Sequence, residues 1–178
     1  MRFKYRLQEL AMKKLLLNSI LPWHVIFDVD GVLTDGTFTY SANGKIYKVF
    51  GSHDSDALNI LKDFCEISFV SADKRGFEIS KKRVLDMGFD LQLADASDRL
   101  KLIRNLQSKS RIIFVADSFT DVSALQCADI SAVPRNAHSQ AKKVANIVLK
   151  ANGGQGAVSE VSFLIMNTLR KKDIQNEQ

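Results

Sequence analysis

Three apolar runs in this chain stop on an aspartate: VIFDVD at residues 25–30, SFVSAD at 68–73 and IIFVAD at 112–117. Short runs rich in β-branched and aromatic residues read as buried strands. Amphipathic stretches of helical spacing separate them, at about 55–64, 76–87, 97–107, 119–127, 137–144 and 156–171. Further strands are expected in DLQLA, ADISAVP and NIVLK. This alternation predicts an α/β fold: a doubly wound, Rossmann-like parallel sheet with helices on both faces. In such a sheet every strand ends on the same edge, the edge at which open α/β folds bind ligands.

One stretch breaks the alternation. GTFTYSANGKIYKVF, residues 36–50, carries two alternating segments around Asn43-Gly44, a strong hairpin signal, so a β-hairpin is expected to project just beyond the first strand. Residues 23–171 read as one domain, residues 1–22 as a basic arm or amphipathic helix, and residues 172–178 as a polar tail. The opening residues begin like a secretory leader, but Asn18 and Ser19 interrupt the leucines and no small-residue cleavage site follows.

Charge narrows the partners. Four of the net five positive charges fall in the first fourteen residues, so the body of the chain is nearly neutral. A basic face that tracks nucleic acid is not expected, nor is a membrane partner. Cys65 and Cys127 form neither a CxxC pair nor a metal-like spacing with His24, His53 and His138, which fits a reducing cytoplasm.

Asp28, Asp30 and Asp117 are therefore expected to converge. Like charges packed within a few ångströms must be neutralised. Carboxylate and carbonyl oxygens favour a hard cation, and Mg²⁺ in particular is held by one or two carboxylates together with water and phosphate oxygens. Read as isolated residues, the same aspartates would be helix caps and turn formers. Asp35, within LTDG, fits that structural role and is expected to shape the turn into the hairpin.

The ordered set FDVDGVLTDG, NGKIYKVF, AVPRNAHSQAKKVANIVL and GGQGAVSEV resembles the haloacid dehalogenase-like phosphotransferases. More narrowly it is similar to the capless 3-deoxy-D-manno-octulosonate 8-phosphate phosphatases and to the related domain of acylneuraminate cytidylyltransferases. The resemblance implies a fold with no separate cap domain. It implies Asp28 as nucleophile, forming an aspartyl phosphate, and Asp30 as the acid and base that serves the leaving oxygen and then the water. Asp117 would bind Mg²⁺ with Asp28 and the backbone carbonyl of Asp30, with Asp121 supporting that metal site.

Other positions depart from the family pattern. The lysine expected at the start of a helix after the third strand is matched by Arg99, a planar fork in place of a compact ammonium; Lys101 is the weaker substitute. In the second motif the phosphate-binding hydroxyl falls on Ser71 by strand pattern, whereas an ungapped count gives Asp73, with Arg75 at the arginine position. Asp54 remains from a substrate-binding Asp-Gly-x-Gly stretch whose glycines are here Ser55 and Ala57. GGQGA reads as a glycine turn before the last helix.

By resemblance the substrate is a phosphorylated acidic sugar, of 3-deoxy-octulosonate 8-phosphate or nonulosonate 9-phosphate type. The work would be done in the cytoplasm by a homotetramer whose hairpins cover neighbouring sites. The other reading is a degenerate relative that has become a binding or oligomerisation module.

Overall fold

The computed structural model describes the backbone of residues 2–176 and side chains within 3–171. After helix α1 (Arg2–Leu17), strand β1 (Trp23–Asp28) enters the centre of the molecule with all six residues buried. The hairpin follows as β2 (Thr34–Ser41) and β3 (Gly44–Phe50), and α2 (His53–Leu61) leads back to the sheet. The βα alternation then runs through β4 (Glu66–Ser71), α3 (Phe77–Asp86), β5 (Leu91–Leu93), α4 (Ala96–Leu106) and β6 (Arg111–Val115). It ends with α5 (Val122–Cys127), β7 (Ile130–Val133), α6 (Ser139–Val144), β8 (Ile147–Val148) and α7 (Ala157–Asn176).

The main sheet has strand order β5-β4-β1-β6-β7-β8, and every pairing in it is parallel. Chain order reverses between β1 and β6, which opens a crevice beyond their carboxyl ends. Successive side chains of a strand face opposite sides. Val25 and Phe27 of β1 therefore pack with Phe69, Ile113 and Val115 under Met12, Leu58, Val161 and Ile165. Ile26 packs on the other face with Val70, Ile112, Phe114, Ile103 and Leu125. The fully buried Phe27, Phe69 and Phe114 each contribute on the order of 1.5–3 kcal/mol by leaving water.

The six expected strands and six helical stretches are all present, with ends shifted by a few residues. Of the arm and the amphipathic helix expected at the N-terminal end, the structure has the helix: Arg2–Leu17 is docked on the domain, with Met12 and Leu16 fully buried and the Tyr5 hydroxyl donating to Glu160 at 2.8 Å. The polar end continues α7 to Asn176, while Glu177 and Gln178 of the expected tail lie outside the described residues.

Candidate active site

The chain leaves β1 through a tight loop, and Asp28 closes its start by accepting from the Val29 N–H at 2.8 Å. Gly31 then turns the backbone at a φ of 81°, and a Cβ there would stand 2.1 Å from Oδ2 of Asp117. Only glycine both adopts that conformation and lets the β6 loop approach so closely. Thr34 Oγ accepts from the N–H groups of Gly31 and Gly36 at 3.1 and 3.2 Å, which locks the loop. From behind, Gly153 packs on it so closely that a Cβ would lie 1.9 Å from the Gly31 carbonyl. The GGQGA turn thus buttresses the first loop. Asp35 accepts from the amide and hydroxyl of Thr37 at 2.8 and 2.7 Å and shapes the hairpin's start, as its sequence context implies.

Beyond β6, Ser118 caps a short turn, donated to by the Thr120 N–H at 3.3 Å, and this turn brings Asp121 back under the sheet edge. One oxygen each from Asp28, Asp117 and Asp121 lies within 4.8 Å of the others. Arg99 enters from the first turn of α4, a helix capped by Asp95 through the Ser97 and Asp98 N–H groups. Its guanidinium is 4% exposed and grips Asp28 with both ends: Nη2 to Oδ1 at 2.8 Å and Nη1 to Oδ2 at 3.1 Å. Nη1 also reaches Asp121 at 2.5 Å, and Nε donates to the Ala94 carbonyl at 3.2 Å. A lysine could not make that fork. Lys101, by contrast, is exposed and pairs with Asp98 on the surface.

Asp30 turns the other way. Its Oδ2 accepts from Ser71 at 3.1 Å and its Oδ1 meets the Lys48 ammonium at 2.7 Å. Lys48 is fully buried and also contacts Asp73 at 2.8 Å and Ser80 at 2.7 Å. The hydroxyl beside Asp30 therefore belongs to Ser71, while Asp73 anchors Lys45 and Lys48 at the rim. A cavity of about 390 Å³ opens over this group, with Asp28, Asp30, Asp73, Arg99 and Asp117 in its wall and Phe38 and Lys45 arching over it from the hairpin.

Burial and neighbouring carboxylates shape the protonation. Desolvation pushes Asp28 well above the ordinary carboxylate range; Arg99 opposes this, and Asp121, Asp117 and Asp30 reinforce it. Burial, with Asp121 and Asp30 nearby and Arg99 opposing, pushes Asp117 up to about 6. Asp73 goes the other way: burial works against it, but the hydrogen bonds from Lys45 and Lys48 hold it at about 2.

The cluster fits a divalent cation. By formal charge, five carboxylates, Asp28, Asp30, Asp73, Asp117 and Asp121, face three cations, Lys45, Lys48 and Arg99, which leaves two negative charges in a partly dry site. Oδ2 of Asp121 is buried without a hydrogen-bond partner, an acceptor still to be satisfied. An all-oxygen donor set matches Mg²⁺. Asp28, Asp117 and Asp121 are the residues that could hold it. The Asp30 carboxylate, turned to Lys48 and Ser71, is not in that cluster.

Two expected substrate-binding residues are elsewhere. Asp54 is fully buried at the start of α2 and accepts from the Ser159 N–H at 3.1 Å, so it ties α2 to the first turn of α7 and does not reach the cavity. Burial raises its pKa. Arg75 is exposed and donates to the Tyr40 hydroxyl at 3.2 Å, lining a neighbouring hollow of about 370 Å³ with Lys45 and Phe38. Sequence reasoning missed Lys48. Its only signal is an inverted pattern on β3, where Tyr47 and Val49 are exposed and the lysine between them is buried.

No family model matches the chain. It is 28% identical over 155 residues to the 3-deoxy-D-manno-octulosonate 8-phosphate phosphatase KdsC of Haemophilus influenzae, across 84% of this chain and 86% of that protein. The cobalt-bound structure of the Haemophilus influenzae deoxy-D-mannose-octulosonate 8-phosphate phosphatase superposes with a TM-score of 0.75 at 26% identity, covering 90% of this chain and 94% of that one. The Moraxella catarrhalis 3-deoxy-D-manno-octulosonate 8-phosphate phosphatase, solved with a magnesium ion, a phosphate ion and a KDO molecule, shares the fold. Its TM-score is 0.77 at 22% identity, over 94% of this chain and 99% of that one. In sequence and fold the chain therefore resembles the capless, haloacid dehalogenase-like 3-deoxy-D-manno-octulosonate 8-phosphate phosphatases over most of its length.

Proposed function

We propose that this chain is a Mg²⁺-dependent phosphatase acting on a phosphorylated acidic sugar, a 3-deoxy-octulosonate 8-phosphate or a nonulosonate 9-phosphate. The observation that carries the reading is the cluster of Asp28, Asp117 and Asp121 at the switch point of the sheet, in which Asp121 keeps one buried oxygen without a hydrogen-bond partner. Bound there, Mg²⁺ supplies positive charge to the phosphoryl oxygens and lets an anionic nucleophile approach them.

The chain's own groups do the rest. Asp28 is the nucleophile: one carboxylate oxygen bonds to phosphorus as the bond to the sugar oxygen breaks, giving an aspartyl phosphate. Oδ1 accepts from both Arg99 Nη2 and the Val29 N–H, whereas Oδ2 accepts from Arg99 Nη1 alone, so Oδ2 is the oxygen with less to release for attack. Asp30 gives a proton to the leaving sugar oxygen and then takes one from the water that hydrolyses the intermediate. Ser71 and Lys48 hold its two oxygens and fix its direction. Lys45, held by Asp73, stands over the mouth of the cavity.

The hairpin's exposed Phe38, Tyr40, Tyr47 and Val49 are the surface by which a neighbouring copy would close the mouth, in a homotetramer working in the cytoplasm. Light scattering tests this: a strict monomer removes the intersubunit lid.

Phosphate release across a panel of sugar phosphates, with and without Mg²⁺, tests the activity. Turnover that requires Mg²⁺ and vanishes in Asp28→Asn is expected. One observation favours the second reading, a non-catalytic binding module: Arg99 occupies both oxygens of Asp28. Absence of both turnover and Mg²⁺ binding would leave that reading in place of the enzyme.

A further inference from the structure

Helix α1 has two apolar faces, and the protein uses only one of them. Met12 and Leu16 are fully buried and, with half-buried Tyr5, fix the helix to the domain. Phe3, Leu7, Leu10 and Leu17 recur at intervals of four, three and seven residues, the spacing of one helical stripe. They are 76%, 53%, 63% and 37% exposed, and Ile20, just past the helix, is fully exposed. Lys14 falls in the same stripe at heptad spacing from Leu7, Lys4 and Arg6 stand beside it, and all three are exposed. Among the described residues none of these three cations pairs with a carboxylate, whereas Lys13 pairs with Glu9 at 2.5 Å.

We infer that α1 docks on an anionic lipid bilayer, lying in the plane of the interface with Phe3, Leu7, Leu10 and Leu17 inserted, Lys4 and Arg6 at the headgroups beside them, and Lys14 extending its long stem from within the stripe to the same headgroups. An apolar stripe rimmed by lysine and arginine is the pattern by which helices lie on anionic membranes. Among the described residues no helix is long and apolar enough to cross one. A second copy fits the same stripe poorly, because a twofold contact would bring two sets of unpaired cations together. The charge distribution points the same way: four of the net five positive charges lie in the first fourteen residues. The inference stands independently of the proposed reaction.

The geometry permits docking without blocking the site. Tyr5 reaches Glu160 at the start of α7, on the carboxyl side of the sheet, and the Leu16 carbonyl accepts from Trp23 Nε1 at 3.3 Å where β1 begins. The helix thus lies along a flank, and a surface applied to its outer face leaves the carboxylate edge open.

Vesicle flotation of the full chain tests the inference, comparing equal parts phosphatidylglycerol and phosphatidylcholine with phosphatidylcholine alone. The expected result is binding at least about tenfold stronger to the anionic vesicles, weakened by salt. Leu7→Ser with Leu10→Ser should abolish it. Lys4→Glu with Lys14→Glu, which leaves every apolar residue in place, should abolish the preference for phosphatidylglycerol. No binding to anionic vesicles, or undiminished binding by the serine variant, would overturn the inference. So would a change of oligomeric state in the serine variant, read by light scattering, since the stripe would then be covered by a second copy.

Discussion

At the residue scale the centre of the site is the grip of Arg99 on Asp28 and Asp121. Removing one partner of a buried charge cluster leaves the others unpaired, at a cost of about 3–5 kcal/mol. Arg99→Ala is therefore expected to lower the melting temperature sharply in chelator, and to regain more of it on adding Mg²⁺ than the unaltered protein does. Thermal unfolding with and without Mg²⁺ reads both quantities, and equal gains would show that Arg99 and the cation do not share the same carboxylates. Asp117 gives the second prediction. With its pKa near 6, a proton competes for the oxygen the cation needs. Mg²⁺ affinity should fall as pH drops through that value, by up to about tenfold per pH unit for this carboxylate, with Asp117→Asn weak throughout and lacking that contribution. Titration calorimetry across pH measures it. The placing of Asp28, Asp30, Ser71, Arg99, Asp117 and Asp121 on one edge of the sheet was legible because each sits at a strand end or a helix start, positions that pattern alone locates. The turn of Asp54 toward α7 and of Arg75 toward Tyr40 was not, since a motif match says nothing about which way a side chain points.

At the scale of elements, the hairpin is what completes the site, and alternation could not show it. Period-two patterning assigns the apolar face of β3 to the interior, yet Tyr47 and Val49 face outward because the hairpin leans over carboxylates and not over a core. The buried residue is Lys48, which clamps Asp30 and Asp73 from above. The depressed pKa of Asp73 gives this clamp a pH signature. The unfolded chain binds that proton more tightly, so the contribution is present above about 4 and lost as pH falls through about 2. Lys48→Met should shrink that acid-limb slope, cost about 2 kcal/mol at neutral pH once the partial exposure of Asp30 is discounted, and lower kcat more than it changes KM. Acid titrations of stability with steady-state kinetics check the three together. The first loop is the other element under constraint. Gly31→Ala puts a methyl group where Asp117 stands, at a φ of 81° that alanine resists. Reduced Mg²⁺ affinity is expected from it, with loss of stability, even though no ligand has been removed.

At the scale of the whole molecule, the core is assembled from both ends of the chain. Strand runs and their separation made the six-stranded sheet readable in advance, but whether the first helix docked was not, because its leucines divide between two opposite faces. One face closes the layer formed by α2, α7 and the sheet; the other faces outward, and packing does not need it. The two faces should therefore separate in a stability measurement. Met12→Ala removes a fully buried side chain and should cost about 2–5 kcal/mol through lost burial and the cavity left behind. Leu10→Ser, on the outer face, should change stability by less than about 0.5 kcal/mol. Trp23 is the single tryptophan, is buried, and bonds to the Leu16 carbonyl at the end of this helix. Its fluorescence in urea therefore reports the undocking of α1 directly. If the helix leaves before the sheet unfolds, Met12→Ala will split the transition in two; if α1 is an integral layer, a single transition will move to lower urea. The shared burial of Met12, Leu16, Val161 and Ile165 in one cluster favours the single transition.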